Sequence, residues 1–178
     1  MKLAGAIPMA LAVFCACALP LPKAAAEEPG AEVAKAASIR LLQSELMVAA
    51  LACKGDIGQT LAQKYNAFVR HFSPALIRSA DTLRAHFRKT HGAAHAFHFD
   101  AFLTTLANHA SLTSIRETAY CQSRARLAET ALGLKDAELE GFSFSTYTTV
   151  TANLLARETE PAASATRLVV REVAAEAD

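Results

Sequence analysis

Glycine is scarce in this chain, with seven in 178 residues, and none has the spacing of a phosphate-cradling loop or a dinucleotide fingerprint. No Gly-x-Ser-x-Gly elbow occurs, no His-Glu-x-x-His pair, and no Cys-x-x-Cys-His to which haem could be attached. An excess of one charge is lacking too: 18 Lys and Arg stand against 17 Asp and Glu, which argues against nucleic acid as a partner. After residue 26 no stretch approaches the ~18 consecutive apolar residues of a membrane span, so a polytopic membrane protein is excluded. What is present, 52% hydrophobic and 20% charged residues, suits one globular domain rather than a disordered or collagen-like chain.

The apolar excess is concentrated at the amino end. Lys2, an almost wholly apolar run over residues 3–21, Pro20 and Pro22, and Ala24-Ala25-Ala26 before Glu27 have the three-part pattern of a Sec-type signal peptide, with cleavage expected after Ala26. The expected location is therefore periplasmic or secreted. A rival reading makes Cys17 a lipid-modified amino terminus: Ala16 is suitably small, but Phe14 stands where a lipobox prefers Leu. Cleavage would remove Lys2 and Lys23, leaving 16 basic and 17 acidic groups and a net charge of −1. It would also remove Cys15 and Cys17. Cys53 and Cys121 are then the only thiols in an oxidising compartment, which predicts one disulfide, the alternative being two unpaired buried cysteines.

Periodicity along the mature chain predicts an all-α fold. Residues 27–37 read as a solvated lead-in, after which Ile39, Leu42, Leu46, Ala49 or Ala50, and Cys53 form one helix face, broken at Gly55. A second helix carries Leu61, Tyr65, Phe68, Val69 and Phe72. Ser73 as N-cap and Pro74 at the first helical position open a third, whose Leu76, Ile77, Ala80, Leu83 and Phe87 lead to a stop at Gly92. Phe99, Phe102, Leu103, Leu106 and Ala110 mark a fourth, with a weak break over 108–111, and a last helix is expected over 113–132, closed by Gly133. The sum is a four- to five-helix bundle over 38–133, crosslinked Cys53 to Cys121. Residues 134–178 read as a weakly structured C-terminal appendage or a mobile tail. Within it 141–151 nearly alternates, as a strand-like or docked segment would, and 166–175 is a candidate weak helix.

The stretch 39–53 (IRLLQSELMVAALAC), the run Tyr65-Asn66-Ala67-Phe68-Val69-Arg70-His71-Phe72, and the later Leu106-Ala107-Asn108 and Tyr120-Cys121 resemble, as a set, small uncharacterised exported helical proteins of Gram-negative bacteria. The resemblance covers roughly residues 38–132 and implies a recurring two-cysteine helical core; it implies no activity.

Two clusters carry candidate chemistry. All six histidines lie between positions 71 and 109, and His91, His95 and His98 stand at i, i+4 and i+7, so that on one continuous helix they would offer three nitrogens to Zn²⁺ or Cu²⁺, with Asp100 or His109 approaching from the side. Gly92 argues against that continuity. Residues 64–133 hold nine basic against four acidic side chains, with Arg84, Arg88 and Lys89 close together. Their expected partner is an anionic cell-envelope component or an acidic protein; the bland alternative is a solvated helix face. Aromatic residues Tyr65, Phe68, Phe72, Phe87, Phe97, Phe99 and Phe102 are expected to fill the core, with Phe97 or Phe99 turned elsewhere. Enzymatic alternatives are thin: Ser73 and Asp81 with a histidine, or a carboxylate pair from Asp81, Asp100, Glu117 and Glu129, have no spacing cue that selects them. The function expected is binding or interaction in the envelope, with metal binding and an enzyme of unidentified class as alternatives.

Overall fold

The computed structural model describes residues 29–159, which form six α-helices and no strand. They are α1 (Pro29–Ala52), α2 (Gly55–His71), α3 (Ser73–His91), α4 (His95–Arg116), α5 (Tyr120–Leu132) and α6 (Asp136–Thr159), with one 3₁₀ turn, Gly92–Ala94, between α3 and α4. The all-α fold and the disulfide are as expected: Cys53 and Cys121 are joined, their Cα atoms 5.9 Å apart. Cys121 lies in the first turn of α5 rather than in the middle of a last helix. The expected leader, including Cys17, and the candidate helix at 166–175 lie outside the described residues.

α1 is the central helix and touches each of the other five. Its expected apolar face is buried, and so are Ala36, Ala37, Ser38, Leu41, Glu45 and Val48 on the other sides, because neighbours cover most of its circumference; the stripe of Arg40, Gln43, Ser44 and Met47 is left partly exposed. The lead-in expected over 27–37 is corrected accordingly. From Pro29 onward it is already α1, with 31–35 half-buried and Ala36 and Ala37 in the core. Small side chains here let neighbouring helices approach closely.

Backbone chemistry sets several boundaries. Gly55 and Gly92 both adopt positive φ, +64° and +54°, and so break the chain where the sequence suggested. Gly58 is needed for a different reason: a Cβ there would run into the carbonyl of Cys53, so the start of α2 rests directly on the end of α1. Phe72, not Ser73, is the residue between α2 and α3; it is buried, and its carbonyl accepts the Leu76 N–H at 2.9 Å.

The break expected over 108–111 does not occur. α4 runs through it to Arg116, because no Gly or Pro interrupts and the Ser111 and Thr113 hydroxyls bond back to carbonyls one turn earlier, at 2.9 and 3.0 Å. The chain breaks at Glu117 instead, whose backbone is extended and whose carboxylate accepts from Ser123 Oγ at 2.7 Å and Arg124 Nη2 at 3.0 Å, tying it to α5.

Residues 136–159 of the expected appendage are a helix docked along α1, not a strand-like segment. Behind the near-alternation of 141–151 lies a buried stripe at helical spacing, Leu139, Ser143, Tyr147, Thr151 and Leu154. The start is capped by Glu138, whose carboxylate accepts the Lys135 N–H at 2.8 Å. Inside, the Thr151 hydroxyl meets Ser38 of α1 at 3.1 Å.

The main core gathers Phe68, Phe72, Phe87, Phe99 and Phe102 with the leucines of α1 and α3. Burial of each such ring is worth ~1.5–3 kcal/mol. Phe97 is the aromatic turned outward, 72% exposed, while Phe99 is inside. A smaller cluster of Val48, Ala49, Leu61, Ala110 and Tyr120 surrounds Cys53. No helix of the described residues is long and apolar enough to cross a membrane.

Candidate functional site

The fold divides the three histidines between two helices. His91 ends α3, the 3₁₀ turn follows, and His95 and His98 open α4, so the three do not share one helix. His95 donates Nδ1–H to the Gly92 carbonyl at 2.9 Å and so holds the turn. His98 folds back instead over His91, the rings stacked with centroids 3.6 Å apart and planes 14° from parallel, and Phe87 lies on the ring series at 5.7 Å from His91. His91 Nε2 is buried without a hydrogen-bond partner. Among the described residues no three His, Cys, Asp or Glu side chains converge as a metal site would require. His109 sits about three turns further along α4 from His98.

The basic trio is also divided. Arg84 and Arg88, one turn apart, share the flank of α3 that faces α4; Arg84 lies 4.9 Å over the Phe99 ring and pairs with Asp81 at 3.1 Å. Lys89, rotated ~100° from Arg88, lies on the other flank, beside α1 and α6. Arg88 is exposed, and its guanidinium makes no hydrogen bond or ion pair among the described residues.

A residue missed by the sequence reading joins Arg84. Arg40 of α1 is half-buried at a cleft of about 180 Å³, together with Gln43, Ser44 and Met47 of α1 and Leu103 and Ala107 of α4. No carboxylate among the described residues reaches its guanidinium. Burial lowers its pKa from the usual arginine value, and the like charge of Arg84 lowers it further. The signal available in the sequence was an arginine one position beyond Ile39 inside an apolar run, but such residues ordinarily extend into solvent.

Glu45 and Arg124 show the opposite arrangement. Arg124 Nε donates to Glu45 Oε2 at 2.6 Å, with side chains 13% and 2% exposed, and Tyr120 Oη donates to the Glu45 carbonyl at 3.1 Å. Burial alone would lower the Arg124 pKa, but the hydrogen bond and charge of Glu45 overcome it and the net shift is upward. Burial, with Glu45 second, holds Tyr120 and Tyr147 well above the usual tyrosine range. This network clamps α5 to α1 beside the disulfide.

The candidate catalytic groups are dispersed. Ser73, Asp81 and Asp100 are exposed, Glu129 pairs with Lys64 at 3.3 Å, and Glu117 belongs to the Arg124 network; among the described residues no hydrogen bond joins Ser73 or Asp81 to a histidine. No protein-family model matches this chain, and comparison with curated proteins and with solved structures finds no match either.

Proposed function

We propose that this is an exported helical protein that binds an anionic component of the cell envelope through the flank formed by Arg40, Arg84 and Arg88. The observation that carries the reading is Arg40: a half-buried guanidinium, disfavoured by the charge of Arg84 and met by no carboxylate among the described residues, beside a cleft large enough for a small anionic group. A charge held this way raises the free energy of the unliganded protein, and an incoming carboxylate or phosphate would relieve it with charge-assisted hydrogen bonds. Gln43 and Ser44 supply further hydrogen-bonding groups at the same cleft. Export is supported by the disulfide, since such bonds persist in oxidising compartments, and by the leader pattern of residues 1–26.

The test is retention of the purified protein on bacterial envelope fractions at low and high salt. Arg40→Gln and the pair Arg84→Ala with Arg88→Ala should each reduce retention at low salt, and added salt should do the same to the parent protein. Retention unchanged by all three substitutions would reject the proposal.

A further inference from the structure

A second cavity lies on the opposite side of α3 from Arg84. It is a groove of about 470 Å³ bounded by the first turns of α1, the end of α3 and the end of α6, and lined by Val33, Ala34, Leu155 and Ala152, with His86 and Lys89 among its walls. The hydroxyl of Thr90, which also lines it, is committed, because Thr90 Oγ1 donates to the His86 carbonyl at 3.1 Å. The Lys89 ammonium makes no hydrogen bond or ion pair among the described residues.

We infer that this groove takes one long-chain fatty acid, its acyl chain along the Val33–Leu155 wall and its carboxylate at Lys89. Three features support that occupant. The volume falls in the lower half of the ~300–1,000 Å³ range of small-molecule sites, which suits a single acyl chain and is too small for a two-chain phospholipid. The apolar wall comes from two helices, Val33 and Ala34 of α1 facing Ala152, Leu155 and Ala156 of α6, while α3 supplies the polar side with His86, Lys89 and Thr90. The free cation stands at the wall, where a carboxylate head would meet it while the chain is covered. The groove and the Arg40 cleft are separate, so failure here leaves the envelope-binding reading standing, and the reverse also holds.

The experiment uses the purified full chain and the fluorescent fatty acid 11-(dansylamino)undecanoic acid, displaced by palmitate. Saturable fluorescence enhancement that palmitate reverses is expected. Ala152→Trp, an exposed wall position where a large ring fills the groove without cutting into the core, should weaken binding about tenfold or more by removing buried chain area. Lys89→Gln should weaken palmitate about three- to fivefold, as expected of one partly exposed ion pair, and leave hexadecanol unchanged. Circular dichroism of both variants should match the parent. No enhancement in the parent protein overturns the proposal, as does equal binding by the Ala152→Trp variant. Uptake that appears only when Leu168, Val169 and Val170 are replaced by serine would assign the groove to the protein's own last segment, and would also overturn it.

Discussion

Replacing Arg40 with methionine is expected to stabilise the protein while weakening its retention on envelope fractions. A fully buried, unpaired charge costs several kcal/mol, but the Arg40 guanidinium is half-buried and open to solvent at its cleft, so screening reduces the penalty to roughly 1 kcal/mol. Methionine keeps the aliphatic stem against Leu103 and Ala107 and removes both the desolvated charge and its repulsion from Arg84. For a domain of this size, a gain of about 1 kcal/mol corresponds to a rise in Tm of ~3–4 °C. Thermal unfolding followed by far-ultraviolet circular dichroism measures the shift, and low-salt retention measures the loss. An opposed pair of effects is what a site held ready for a ligand produces, since stability is given up for function. A fall in Tm would mean that Arg40 is a structural residue, and the reasoning that assigns it a ligand would fail.

Arg124→Leu should destabilise by about 3–5 kcal/mol, because it leaves the Glu45 carboxylate buried and uncompensated; adding Glu45→Leu should recover a large part of the loss, and strict additivity in denaturant unfolding would refute the coupling. Reduction with dithiothreitol should lower stability by about 4 kcal/mol, the chain-entropy value for a loop closed over 68 residues, and an unchanged denaturation midpoint would contradict that account. His86 has a pKa below the usual histidine value, through burial first and the nearby His91 and Lys89 second. The unfolded chain therefore takes up this proton first as pH falls, so His86 contributes stability above about pH 6.5 that is lost on acidification toward its folded value. The drop in Tm between pH 7.5 and pH 5.5 should be smaller in His86→Gln than in the parent protein; an equal drop would remove His86 from the explanation.

Local pattern was enough to locate α2 and α3. Leu61 and Phe68, and Leu76, Leu83 and Phe87, recur at helical spacing on faces that are buried, and Gly92 needs the positive φ that ends α3. It was insufficient for α1 and α6, since both are partly judged by their partners. Ala31 and Ala34 look solvated until α6 lies beside them, and the Ser and Thr of α6 look strand-like until Ser143 and Thr151 are seen inside the stripe against α1. Histidine spacing misled because i, i+4 and i+7 describe one face only on an unbroken helix, and the turn at Gly92 redirects α4 so that His98 meets His91 instead.

Composition and periodicity alone determined that this chain is helical, that two cysteines remain beyond the leader pattern, and that basic charge concentrates in its middle third, because each of these depends on local spacing or on simple counts. Only the tertiary structure decided which cations are left without partners. Arg124 found Glu45 79 positions away, Lys64 found Glu129, and Arg40 found no carboxylate among the described residues. Pairing of charges is a matter of distance in space and of shared burial, and helix packing sets both, so no reading along the chain could separate the arginine that locks the fold from the one left without a carboxylate.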